Sequence, residues 1–231
     1  MNGDGTASAR LRAKLELAAP AMRASGQRLW GSEAVRDLYP IYLATMHGIV
    51  RSAVTLIDTA ARRARALAPS DDVAAGLVPY LEHHGPEEAG HDGWLLEDLA
   101  ELGFEPDAAL RKIPSPTVAS LVGAQYYWIL HHHPVAILGH MAVVEGYAPA
   151  PGFAQALSEL TGYPLTAFRS LRRHEQLDIR HRRELYQAID SLPHQPDHET
   201  LIGLSGLHTI NGIIDVISQV AASAPARAWV Q

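Results

Sequence analysis

Apolar residues along this chain recur at intervals of three and four rather than two, the spacing of a helix face and not of a half-buried strand. The pattern predicts helices near 8–25, 41–67, 73–102, 115–131, 135–147, 164–192 and 198–222. A short helical turn near 32–38 leads into Pro40, which kinks or restarts the chain, and Gly85-Pro86 is a second expected kink. The breaks are marked by turn chemistry. Ala68-Pro69-Ser70-Asp71-Asp72 closes one helix and caps the next. Gly103 with Pro106, Pro114-Ser115-Pro116-Thr117, Ala148-Pro149-Ala150-Pro151-Gly152 and the stretch from Ser191 to Pro196 separate the others. The expectation is one all-α domain, a bundle of about seven helices over 8–231, with residues 1–7 small, polar and disordered.

Composition narrows the chemistry. The 231 residues carry a formal net charge of −6, and the arginine clusters (Arg62, Arg63 and Arg65; Arg172 and Arg173; Arg180, Arg182 and Arg183) are balanced by acids. Without a basic stripe, neither nucleic acid nor an anionic membrane is an expected partner. The N-terminal twenty residues lack the continuous apolar segment of a secretory signal. The most apolar tract, 119–148, is interrupted by His131-His132-His133-Pro134, His140 and Glu145, so it reads as core and not as a membrane span. There is no cysteine, which excludes disulfides, thiolate zinc, cysteine-held clusters and a thiol nucleophile, and suggests a cytoplasmic location. With 13 histidines, any metal site is built from imidazole and carboxylate, a donor set suited to iron, manganese or zinc.

Three stretches carry that donor set. In HEQLDIRH, His174, Asp178 and His181 stand at i, i+4 and i+7, one narrow stripe of a helix. His84, Glu88 and His91 repeat the spacing ninety residues earlier, on one face if Pro86 leaves the helix unbroken. Glu145 is a lone acid in an apolar helix, followed by Gly146, which leaves room for a ligand or a close helix. Buried acids and imidazoles are costly unless paired, and a metal ion pairs them all. Taken singly, each stretch also fits a surface ladder or a satisfied core polar group; it is their coincidence on three helices that points to a metal.

With those residues assembled, the chain resembles the haem-oxygenase-like di-iron oxidases and oxygenases over about residues 30–220. The likeness rests on helix count and on EEAGHDGWLLEDLAELG, VVEGYA and HEQLDIRH in that order. It implies a haem-oxygenase-like fold and two iron ions held by Glu88, His91, Glu145, His174, Asp178 and His181. Glu88 and Glu145 would be the carboxylates nearest the chemistry, O2 a co-substrate and an external reductant required. A homodimer is expected on the same ground. One departure is visible: His84 stands where many members have a glutamate, and the stretch 41–67 offers only His47 and Asp58 in place of a further glutamate. His84, Glu87 or, least suitably, Glu82 is left to fill that place, and a labile second iron is the expected consequence.

The resemblance implies O2-dependent chemistry on a small-molecule substrate. N-oxygenation of an amine, amino-imidazole or guanidine is the leading expectation, because Tyr126, Tyr127, Trp128, His131–His133 and His140 give polar tips to an apolar region. Tyr127, His133 and Tyr147 are the expected pocket residues. The alternatives are oxidative C–C cleavage or decarboxylation of an amino or fatty acid, with helix 118–130 lining a tunnel. A cofactorless oxidase and a metal-free helical binding protein of the same fold are the readings from other classes.

Overall fold

The structure, a computed structural model, describes residues 5–147 and 149–223. No strand is present among them, and twelve α-helices form the chain's architecture: α1 (Ala7–Glu16), α2 (Ala19–Trp30), α3 (Val35–Val50), α4 (Ala53–Leu67), α5 (Asp72–Glu87), α6 (His91–Glu101), α7 (Pro106–Arg111), α8 (Pro116–His131), α9 (Ile137–Val144), α10 (Phe153–Thr161), α11 (Arg169–Ser191) and α12 (Pro196–Ala221). Short 3-10 turns over Pro134–Ala136 and Leu165–Phe168 lead into α9 and α11.

The extra helices have local causes. The expected helix 8–25 is two, because Pro20 sits in the first turn of α2, where its missing N–H costs nothing. The expected helix 41–67 is also two, parted at Arg51-Ser52, while Pro40 lies inside α3 and does not start it. The expected helix 73–102 divides at Gly90, whose φ of 86° is a left-handed conformation that suits glycine. Pro86 only ends α5. The six-residue α7 and nine-residue α10 are too short to declare a periodicity. Of the expected disordered terminus, residues 1–4 lie outside the described residues, and Thr6 is the N-cap of α1, its hydroxyl accepting from Ala9 N–H.

Helix α12 is the axis. It packs against α1, α2, α3, α8 and α9, and buries Ile202, Ile210, Val216 and Val220. By length and composition alone it could cross a membrane, yet its apolar stripe is spent inside the bundle. The contact with α9 is closest: a Cβ added at Gly139 would stand 2.0 Å from the Ile202 carbonyl oxygen and 2.7 Å from Gly206 N. Around this crossing the largest apolar cluster joins α1, α4, α5, α9, α11 and α12 through Leu15, Leu56, Leu77, Ile137, Leu185 and Ile210, all nearly inaccessible. A second core, centred on Tyr39, Leu43, Leu99 and Phe168, joins α3 to α6 and to the turn before α11. The helices that carry the candidate ligands contribute to both cores, Leu81, Met141 and Leu185 to the first and Leu95 and Leu171 to the second.

Candidate metal centre

Helix α11 is laid on the bundle by an acid on a neighbour. Asp98 of α6 is inaccessible, and its two carboxylate oxygens accept the backbone N–H groups of Arg169 and Ser170, each at 2.9 Å. Those N–H groups begin α11 and have no partner within the helix. Burial pushes the Asp98 carboxyl up to about 6 despite these hydrogen bonds. Fixed at this end, α11 turns Asp178 and His181 into the interior, while Arg172, Arg173 and Arg183 stay exposed. His174, half-buried, has Nδ1 2.8 Å from the Ser170 carbonyl oxygen. A carbonyl only accepts, so Nδ1 carries the proton and Nε2 presents its lone pair to the site.

The other ligand stretches meet this stripe. Glu88 follows the last residue of α5 and His91 opens α6, so they do not share one helix as their spacing suggested. The left-handed Gly90 between them turns the chain so that His91 Nδ1 still lies 3.1 Å from Glu88 Oε2. Glu145 closes α9 from the opposite side, 3.1 Å from His84 Nε2. His181 Nδ1 lies 3.4 Å from Glu88 Oε1, and His84 Nε2 3.6 Å from the same oxygen. The His91 and His174 rings meet edge to face with centroids 5.2 Å apart, and those of His84 and His181 do so at 4.8 Å. Trp94, which sequence reasoning passed over, stacks on His91 at 4.1 Å and is covered in turn by Arg173.

All six expected ligands therefore converge, and His84 is with them. His47 and Asp58 are not: His47 faces Asp92 at 3.7 Å, and Asp58 pairs with Arg62 at 3.2 Å. Glu82 is exposed and bound to Arg65 at 2.7 Å. Glu87 borders the site, its carboxylate held at 2.5 Å by Arg180. Gly146 gives room of a different kind, since a Cβ there would strike the Ala142 carbonyl at 2.0 Å.

The electrostatics are those of a site built for cations. Burial first, then the nearby Glu145 and Glu88, pushes the Asp178 carboxyl up to about 8. Burial also raises Glu145. Burial would raise Glu88 as well, but His91, His84 and His181 outweigh it and hold its carboxyl low. Burial lowers His174 and His181, keeping their imidazoles neutral. The donor atoms fit a metal in a further respect. His84 Nδ1 and Nε2, His91 Nδ1, His181 Nδ1, Glu87 Oε2 and Glu145 Oε2 are sealed from solvent with no hydrogen-bond partner among the described residues. An unsatisfied buried polar atom costs about 1–3 kcal/mol, so six in one place would be a heavy penalty on a purely structural core. Two ligands about 2.1 Å from one ion and at right angles stand about 3.0 Å apart, close to the 3.1 Å separations here. Imidazole and carboxylate together suit iron.

Beside the ligands lies a cavity of about 390 Å³. Glu88, Glu145, His174 and Asp178 line one part of its wall. The remainder is mostly apolar, with Arg23 and His140 among its polar exceptions; it is drawn from α2, α3, α4, α6, α9 and α12 and includes Met46, Ile57, Leu95, Met141 and Ile213. Tyr147 lines it as expected, but Tyr127 and His133 do not. Tyr127 is exposed and rests against His131. His133 accepts the Val135 N–H on Nδ1 at 3.1 Å, so its proton is on Nε2, 3.2 Å from Asp71. It thus faces the N-cap of α5, with Nε2 lacking an aligned hydrogen bond there. No residue of α8 lines this cavity, so helix 118–130 does not supply its walls.

A family model described as an iron-containing redox enzyme matches residues 59–203, a span holding His84 and all six expected ligands. The chain belongs to the iron-containing redox enzyme family. Solved structures agree on the fold of the family member described here. A domain of unknown function with a haem-oxygenase-like fold from Shewanella denitrificans OS217 superposes with a TM-score of 0.72 at 16% identity, covering 89% of this chain and 90% of that one. A CADD-like protein of unknown function from Nostoc punctiforme PCC 73102 gives 0.67 at 16% identity, covering 93% and 97%. A TenA homologue from Pseudomonas syringae pv. tomato DC3000 gives 0.69 at 12% identity, covering 92% of each. No curated protein matches the chain. The fold is thus haem-oxygenase-like, and the family is one of iron enzymes.

Proposed function

We propose that this protein is a non-haem di-iron, O2-dependent oxidase in which Glu88, His91, Glu145, His174, Asp178 and His181 hold the two irons. The observation that carries this reading is the convergence of these six side chains, with orphaned buried donor atoms among them, on the wall of an apolar cavity. When bound, the irons supply the electrons and binding positions for O2 that no side chain here provides.

The cavity also bears on the substrate. Its walls favour an apolar chain over a small, fully polar amine, so oxidative C–C cleavage of an acid with an apolar chain, decarboxylation included, is the better-supported outcome. Such a step is balanced when the acid loses CO2 and two electrons to become a terminal alkene, and O2 takes up four electrons to form two waters. Two of those electrons then come from an external reductant. The chain's own contribution is to bind, orient and exclude water. Met46, Ile57 and Ile213 desolvate the chain, and the site carboxylates gather at one part of the wall.

His140 adds one polar handle. The Thr209 hydroxyl donates to the Ser205 carbonyl at 2.8 Å, so His140 Nδ1, 3.1 Å away, must be the donor to Thr209. Burial lowers its pKa to about 4, and the neutral ring leaves Nε2 as an acceptor on the cavity wall. This acceptor favours a second reading, N-oxygenation of an amine carried on an apolar frame, since it would take a substrate N–H.

The test is turnover of Fe(II)-loaded protein with O2 and a reductant against fatty acids of graded length and, separately, alkyl amines, with products identified by mass spectrometry. Alkene and CO2 formation supports the first outcome. Hydroxylamine or nitroso products with no alkene support the second and reject the first.

A further inference from the structure

His84 is the most deeply buried imidazole of the cluster, with no accessible surface, and both its ring nitrogens lack a hydrogen-bond partner. Nε2 lies between two carboxylates assigned to the metals, 3.1 Å from Glu145 Oε1 and 3.6 Å from Glu88 Oε1. Neither contact has hydrogen-bond alignment, although 3.1 Å is short enough for one. A ring placed to donate a proton would aim it at one oxygen. Here Nε2 stands within 3.1 Å and 3.6 Å of an oxygen of each with no aligned hydrogen bond to either, a spacing that suits a ligand sharing an ion with them.

The far side of the ring is arranged to match. Nδ1 faces Glu87 Oε2 at 3.9 Å, and Arg180 fixes that carboxylate through its other oxygen at 2.5 Å. A carboxylate there favours electrostatically the tautomer with the proton on Nδ1, although 3.9 Å is too long for a direct hydrogen bond. Tyr80 stacks on the ring at 5.6 Å and limits its rotation. Glu87 thereby biases the tautomer of His84 through its charge, without a direct hydrogen bond to the ring.

We infer that His84 is a fourth imidazole ligand, binding through Nε2 on the Glu145 side of the centre, so that the metals sit among four histidines and three carboxylates. This rests on the di-iron reading above. A neutral ligand at this place leaves the two dications with three carboxylates, an uncompensated positive charge that a fourth carboxylate would cancel.

The experiment uses the metal-free full chain and cobalt(II), a spectroscopic stand-in for Fe(II), under anaerobic conditions. Titration is followed by visible ligand-field absorption and calorimetry, and metal is counted after desalting. The unmodified chain is expected to retain two cobalt ions. His84→Ala is expected to retain one, with the second bound more than about 100-fold more weakly and with altered absorption, beyond the loss typical of a residue behind a ligand. His84→Glu is expected to regain the second ion with a different spectrum. If His84→Ala does not fold, His84→Gln gives the same comparison, and circular dichroism of the metal-free protein decides which variant is read. The His84 assignment is overturned if a folded variant keeps both ions with the original spectrum and affinity. Should the unmodified chain bind no cobalt, both this inference and the di-iron reading fall.

Discussion

At the scale of single residues, the account turns on which imidazole nitrogen is free. His174 gives its Nδ1 proton to the Ser170 carbonyl at 2.8 Å, which leaves Nε2 for a metal. His174→Ala should therefore lower bound iron by about one ion per chain, measured by elemental analysis after anaerobic loading, with helix content unchanged. Iron content equal to that of the original chain would show that this helix is misassigned. HEQLDIRH was readable from sequence because i, i+4 and i+7 lie on one stripe of an unbroken helix, and α11 runs unbroken through it. For Glu88 and His91 the expectation of a shared helix was mistaken. Their spacing suggested one helix, yet the left-handed Gly90 parts them and still brings them to 3.1 Å. His133 misled because a histidine beside proline carries no sign of direction, and here it turns to Asp71.

At the scale of helices, the site depends on how α6 and α9 are fixed to their neighbours. Asp98 holds the first turn of α11, and its carboxyl is raised from 3.8 to about 6 chiefly by burial. A carboxyl raised by folding stabilises least when ionised, so its contribution is greatest below about pH 4 and declines as the pH rises towards 6. Asp98→Asn removes that dependence and loses one of two acceptors. The variant should be less stable by about 1–3 kcal/mol, with the deficit larger near pH 4 than near pH 7, as read by urea unfolding. A deficit that grows with pH would contradict this role. Gly139→Ala would press a methyl into the α12 backbone and should cost at least about 1–3 kcal/mol in thermal or urea unfolding. The long helices were legible in the chain because a periodic apolar face needs several turns to declare itself. The divisions at Leu17-Ala18 and Arg51-Ser52 were not, since the apolar period continues across them.

At the scale of the molecule, the proposed metal site and the cavity adjoin one another and are assembled from distant parts of the chain. The cavity draws on residues from Met22 to Ile217, which is why no local motif announced it. Met46, on the apolar wall, offers a direct check. Met46→Trp should leave the metal count unchanged and move turnover towards shorter-chained acids, measured by product yield across chain lengths; an unaltered chain-length profile would mean the substrate lies elsewhere. The most direct test of the central claim is anaerobic Fe(II) loading followed by exposure to O2, with bound iron and visible absorption recorded together. The account predicts about two irons per chain and an absorbance change that requires O2. Fewer than about one iron per chain, or a spectrum indifferent to O2, would contradict it.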